Sequence, residues 1–247
     1  MLLSANHLID FDVEAIDGNI GNVKDIYFDD TEWVIRYIVV DTGKFLPGKR
    51  VLLSPKSFGH PQAMHKIMPV DLTCEKVKSS PDASTELPVS KLEEIELHKY
   101  YNWIPYWDND FLTYPSPILT PPPIDKGEMK EFEEKVENTS LRSLGEVIGY
   151  HIKAKDGKIG HIEDFIIEES DWSVKYMIVD TRNFLSGRKV LLALDWVGDF
   201  DWAGGTVEVD MTVEAIKKSP EFNPEAPINR EYEIQLFDYY GRPKYWR

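Results

Sequence analysis

Adding 139 to a residue number carries the first half of this 247-residue chain onto the second without a gap. "IVVDTGKFLPGKRVLL" from Ile38 meets "MIVDTRNFLSGRKVLL" from Met177. Asp17-Gly18 meets Asp156-Gly157, Gly21 meets Gly160, Asp25 meets Asp164 and Trp33 meets Trp172. The register persists through Asp71 and Asp210 to Tyr106-Trp107 and Tyr245-Trp246. A repeat of this kind decides the architecture before any local pattern does. The unit spans 1–107 and again 141–247, about the size of an ordinary domain. Residues 108–140 lie between the copies. They begin "DNDFLTYPSPILTPPPIDKGE", where proline favours extended backbone. They end in the acidic, helix-capable "MKEFEEKVENTS". A semi-rigid linker followed by a short helix is expected.

Within each copy the patterns alternate between strand and helix. The Asp-Gly pairs mark hairpin turns, since glycine accepts positive φ. Ile20 to Asp29 reads as a strand. Trp33, Ile35, Tyr37 and Val39 alternate along the next one, as do Trp172, Val174, Tyr176 and Ile178, which predicts one buried face with Arg36 and Lys175 on the other. Val51 to Leu53 begins a third strand, and Val70 and Val207 to Val209 suggest further short ones. Short strands at regular turns imply a small barrel or sandwich. Ser90 and Glu93 stand at capping-box spacing, and Asn229 takes the cap position in the second copy. Ile95, His98 and Tyr101, with Ile234, Phe237 and Tyr240, mark one helical face. Asn102 and Gly241 both tolerate the left-handed geometry that ends a helix. Aromatic tails follow, "YYNWIPYW" and "YYGRPKYW".

The two stretches "DGNIGNVKDIYFDDTEWVIRYIVVDTGKFLPGKRVLL" and "DGKIGHIEDFIIEESDWSVKYMIVDTRNFLSGRKVLL" resemble PRC-barrel domains. The resemblance covers most of residues 1–80 and 141–218. It implies a mainly β chain with short helices: two small PRC-barrel-like β-barrels, each followed by a C-terminal helix and aromatic tail. The same barrel is found in the H subunit of photosynthetic reaction centres and in a ribosome-maturation factor. The family is largely non-enzymatic. The H subunit carries a membrane-spanning helix that has no counterpart here, and the ribosome factor pairs its barrel with a different domain.

The formal charge of −15 argues against direct nucleic-acid binding, because phosphate contact needs a basic face. Cys74 is the single cysteine, so no disulfide can form within the chain. The N-terminus lacks a basic segment and a long apolar run, so no signal peptide is expected. No stretch approaches the ~20 apolar residues of a membrane span. A cytoplasmic protein without membrane insertion is expected, with peripheral association open to it.

Few residues of the chain stand in patterns that carry chemistry. None of His7, His60, His65, His98, His151 and His161 falls on a histidine under the shift, and Cys74 meets Val213. A shared zinc or haem site would need shared ligands. His60 and His65 stand five apart with no supporting pattern and read as loop residues. Four aspartates are kept in each copy: Asp17, Asp25, Asp41 and Asp71, then Asp156, Asp164, Asp180 and Asp210. Acid–base work would use such pairs. Each also has a job within its own segment: turn residue, acceptor for loop amides, or N-cap of a short helix for Asp71 and Asp210. Nucleophile elbows and phosphate loops are missing from the sequence. No catalytic residue, metal or cofactor is assigned, and the chain is expected not to be an enzyme.

Surfaces remain. Lys44, Phe45, Lys49 and Arg50, matched by Arg182, Phe184, Arg188 and Lys189, form a candidate partner-binding rim. Alternatively the phenylalanines plug the barrel end. Tyr100, Tyr101, Trp103, Tyr106 and Trp107, with Tyr239, Tyr240, Tyr245 and Trp246, are candidate interface aromatics, because Tyr and Trp bury large area with a polar handle. Packing onto the unit's own barrel, or in a homodimer, is the competing role. The expected function is a binding or assembly module for an unidentified protein partner. A reaction-centre or electron-transfer accessory and a ribosome or RNA-processing assembly factor are the alternatives that the resemblance suggests. Two like units can also pack about a pseudo-twofold within one chain.

Overall fold

The computed structural model describes residues 1–43, 49–81, 89–107, 140–181 and 188–246. The 108–139 part of the linker, with its expected helix, lies outside them. The first copy runs β1 (Leu2–Ser4), α1 (Ala5–Leu8), β2 (Asp12–Ala15), β3 (Gly18–Asp29), β4 (Val34–Asp41), β5 (Arg50–Leu53), β6 (Ile67–Pro69), α2 (Cys74–Lys78) and α3 (Lys91–Tyr101). The second runs β7 (Leu141–Ser143), α4 (Leu144–Val147), β8 (His151–Ala154), β9 (Gly157–Glu168), β10 (Ser173–Asp180), β11 (Lys189–Ala193), β12 (Val197–Asp201), β13 (Thr206–Val209), α5 (Val213–Lys218) and α6 (Arg230–Tyr240). Among the described residues only β12 has no strand at the matching position of the first copy. The fold is mainly β and barrel-like, as expected.

Among the described residues all thirteen strands belong to one sheet. Its two halves join where β10 meets β4, with Ser173 opposite Val34. Two further pairings make the join reciprocal. β1 of the first copy pairs with β9 of the second, Leu2 opposite Glu168 and Ser4 opposite Ile166. β7 of the second pairs with β3 of the first, Leu141 opposite Asp29 and Ser143 opposite Tyr27. Each copy therefore lends its first strand to the other. The hydrogen bonds flanking the join match under the same shift: Ile35 N to Trp172 O at 2.8 Å, and Val174 N to Trp33 O at 2.7 Å.

Several local readings change. Trp33 and Trp172 do not lead their strands. They sit in the preceding turns with φ of 56° and 58°, an unusual conformation for a bulky side chain. Trp33 stacks on Phe28 with ring centroids 4.8 Å apart. The one-sided alternation of β4 holds only at its start. From Tyr37 to Val40 every residue is buried, because Tyr37 reaches α3 on one face while Ile38 and Val40 pack in the core on the other. The expected N-caps Asp71 and Asp210 give way to Thr73 and Thr212, whose hydroxyls accept from Lys76 N and Ala215 N. The turn aspartates reach the same helices: Asp17 Oδ1 accepts from Cys74 N, and Asp156 Oδ1 from Val213 N, both at 2.7 Å.

The longer helices start and stop as their sequences dictate. Ser90 and Glu93 complete the capping box of α3, and Asn229 caps α6. Asn102 and Gly241 end them at φ 60° and 62°.

Candidate functional site

Of the candidate rim, Lys44, Phe45, Arg182 and Phe184 lie outside the described residues. The rest are built by the Asp-Thr motif. Thr42 Oγ1 donates to Lys49 O at 2.6 Å, and Thr181 Oγ1 to Arg188 O at 2.8 Å, which closes each loop at its base. Asp41 Oδ1 accepts from Gly43 N. Glycine is needed opposite. A Cβ on Gly21 or Gly160 would lie 2.0 or 1.9 Å from the carbonyl oxygen of Asp41 or Asp180.

The rim cations are engaged within the chain. Lys49 Nζ donates to Ser80 O at 3.2 Å, and Arg188 Nη1 to Lys217 O at 3.4 Å. Arg188 also lies 3.9 Å from Glu221, Arg50 lies 4.0 Å from Asp41, and Lys189 pairs with Glu163 at 2.6 Å. These contacts tie the rim to neighbouring strands, to the end of α5 and to the segments after the short helices. Exposed pairs of this kind contribute little stability.

The aromatic tails fold back onto their own units. Tyr106 donates to Glu94 Oε2 at 2.6 Å, and Tyr37 donates to the same oxygen at 2.8 Å. In the second copy Tyr245 and Tyr176 both donate to Glu233 Oε1, at 2.7 and 2.6 Å. Glu94 is 1% exposed and Glu233 3%. Lys91 and Arg230, one turn earlier, pair with these acids at 3.3 and 2.9 Å and lie over the rings of Trp107 and Trp246. Burial drives the Tyr37, Tyr106 and Tyr176 phenols well above their ordinary range, and the adjacent carboxylates add to this, so all three stay protonated donors. Tyr100 reaches Lys76 O and Tyr239 reaches Ala215 O, the same helix position in each copy. Trp103 stacks on Tyr101 at 4.3 Å and donates to Ser57. The candidate aromatics are thus chiefly the unit's own packing.

Glu94 and Glu233 are not among the aspartates that the two copies share. They coincide under the shift and each follows a cation by three residues, which is the signal that would have found them.

The copies differ inside this network. His98 is 6% exposed, and Phe237 takes its place in the second copy. Since the single Tyr37 proton goes to Glu94, the Tyr37 oxygen accepts from His98 Nε2 at 3.1 Å. His98 Nδ1 is buried without a partner. Burial lowers the imidazole to about 4, outweighing the nearby Trp103 and Ile104 carbonyls that favour its protonation, so the ring is neutral at pH 7.

Asp25 and Asp164 act within their own segments, where Oδ1 accepts from Ile26 N and Phe165 N at 2.7 Å, and between the copies as well. Ser4 Oγ donates to Asp164 Oδ2 at 2.5 Å, and Asn6 N donates to Asp164 Oδ1 at 3.0 Å. Ser143 Oγ donates to Asp25 Oδ2 at 2.7 Å, and Gly145 N to Asp25 Oδ1 at 3.4 Å. Burial raises the Asp164 carboxyl, against hydrogen bonds from Ser4, Asn6 and Phe165 that lower it.

Between α1 and α4 the reciprocal join opens a groove of about 410 Å³. Matching positions of both copies line it: Ala5 and Leu144, Asn6 and Gly145, Ile9 and Ile148. Lys24, Asp25 and Glu146 are also in its wall. A concave surface with an apolar floor and a few polar groups is what binding sites are made of. A second join feature is an aromatic chain. Phe200 of β12 packs on Trp33 at 4.8 Å and stacks on Trp202, over which Arg142 lies at 4.6 Å while pairing with Asp30.

Among the described residues no three His, Cys, Asp or Glu side chains are grouped to hold a metal ion, and no helix is long and apolar enough to cross a membrane. No curated protein matches this chain. A family model does match, the PRC-barrel domain, over residues 2–67.

Proposed function

We propose that the chain is a non-enzymatic assembly module of two PRC-barrel units that docks a protein partner, with the groove between α1 and α4 as the docking surface. One observation carries this reading: the groove is lined by matching residues of both copies, so it exists only in the joined molecule. The rim and the aromatic tails, favoured by the sequence, are weaker docking surfaces because their described groups already have partners within the chain. Apart from β12, the strands and helices of the second copy fall within one residue of those of the first, which supports a tandem barrel.

Affinity purification of tagged chain from its native organism, with mass spectrometry, tests the reading. Lys24→Glu with Glu146→Arg reverses two exposed groove charges, and Arg188→Glu with Lys189→Glu reverses the rim. A protein captured by the wild type and by the rim variant, and lost from the groove variant, is the expected result. Loss on rim reversal alone overturns the groove, and capture of no protein overturns the docking reading. The identity of a captured protein separates a cytosolic adaptor from a reaction-centre accessory or a ribosome assembly factor.

A further inference from the structure

The join between the copies has the form of a homodimer interface, and the partner it fits is a second copy of this chain. Its backbone pairings and its serine–aspartate bonds are isologous: what residue i of the first copy gives to the second, residue i + 139 returns. β1 pairs with β9 as β7 pairs with β3. Ser4 holds Asp164 as Ser143 holds Asp25. Glu169 N reaches Met1 O at 2.9 Å, and Asp30 N reaches Ser140 O at 2.7 Å. Nothing in these contacts requires that the two units belong to one chain. The covalent connection is the 108–140 segment alone.

We infer that two chains can exchange units, the first unit of each closing on the second unit of the other. Such a swapped dimer reproduces every hydrogen bond of the join and needs no new surface. Mass action decides between the two forms. Joining the two units in one chain gives each an effective concentration of the other on the order of millimolar, so dilute chains close on themselves and concentrated chains exchange. Once formed, the dimer persists, because reopening requires both exchanged strands to leave their sheets together with the buried Ala5, Leu8, Leu141 and Leu144.

The test uses the full chain with a specific protease site placed within 112–130, away from both units. It is unfolded in urea with reductant, then refolded at low micromolar and at near-millimolar concentration. Light scattering after chromatography should give the 28.6 kDa single-chain mass in the first case and a fraction of twice that mass in the second. Cutting the linker should then convert the dimer fraction to single-chain mass, with both halves retained in a 1:1 complex. A dimer that keeps twice the mass after cutting uses another interface and overturns the inference. So does refolding that yields only single chains at every concentration, or a cut monomer whose halves separate.

Discussion

Ser4 of the first copy donates a hydrogen bond from its hydroxyl to Asp164 of the second across 160 residues of chain. The same hydroxyl accepts from His7 N and so caps α1. One side chain starts a helix and locks that helix to the other copy's strand. Ser143 repeats both contacts, with Glu146 N and with Asp25. The Ser4–Asp164 pair therefore sits where local structure and the joining of the copies depend on each other.

Removing Asp164 tests the lock. Asp164→Ala leaves the Ser4 hydroxyl and the Asn6 and Phe165 amides without their acceptor, which costs about 2–3 kcal/mol. Asp164→Asn keeps one oxygen for the amides and offers its own N–H to Ser4, so it should cost less than about 1 kcal/mol. The pH dependence follows from burial raising this carboxyl in the folded state. A raised carboxyl contributes stability while protonated, and that contribution is lost as pH rises from the ordinary carboxylate range through the folded value. Asn cannot lose it, so the variant compares more favourably with wild type at pH 7 than at pH 4. Urea denaturation at both pH values gives the comparison.

His98→Phe copies the second unit's solution into the first. The folded imidazole, at about 4, binds fewer protons than the unfolded one at 6.5. Stability contributed by the neutral ring is therefore present above pH 6.5 and lost as pH falls towards 4, by roughly 3 kcal/mol at most. The variant should lie within about 1 kcal/mol of wild type at pH 7.5, since an apolar ring replaces a buried unpaired nitrogen. At pH 5 it should be the more stable of the two. Denaturation midpoints at these two pH values decide.

Glu94→Leu should cost about 3 kcal/mol or more, because it strands two phenols and the Lys91 ammonium in a buried site. Glu94→Gln retains a carbonyl acceptor and should cost distinctly less. Tail release is the readout beyond stability: acrylamide should quench tryptophan fluorescence more strongly in the Leu variant, since Trp107 packs on His98 and under Lys91.

Gly160→Ala should abolish folding of the second copy or cost well over ~3 kcal/mol, since its Cβ would meet the Asp180 carbonyl at 1.9 Å and φ is +57°. Gly241→Asn provides the contrast. Its φ is +62°, its surroundings are open, and Asn102 already fills the equivalent place in the first copy. It should shift the unfolding temperature by only a degree or two on the per-domain scale. Circular dichroism melts of the two variants measure the difference.

Much of the candidate site lay beyond pattern reading. The tails were legible as amphipathic aromatics, but their use as intramolecular ligands of Glu94 and Glu233 depends on a chain reversal at Asn102 and Gly241 whose destination no spacing reveals. The groove was not legible at all, since Ala5, Ile9, Leu144 and Ile148 look like ordinary apolar residues at the start of each copy. Trp33 stands where a strand could begin, but its positive φ places it in the preceding turn, where it stacks on Phe28 and meets Phe200 at a tilt.

The sequence by itself determined the repeat, its register, the mainly β class, the hairpin turns and the caps of α3 and α6. These rest on interactions spanning a few residues: alternation, a serine three before a glutamate, a residue that accepts the left-handed region. Only the tertiary structure decided which copy each first strand joins and what Asp25 and Asp164 hold. The reason is physical. β1 would present the same alternating side chains and the same backbone donors to its own β3 as to β9 of the other copy. Local pattern is indifferent to that choice, and the packing of the two units settles it.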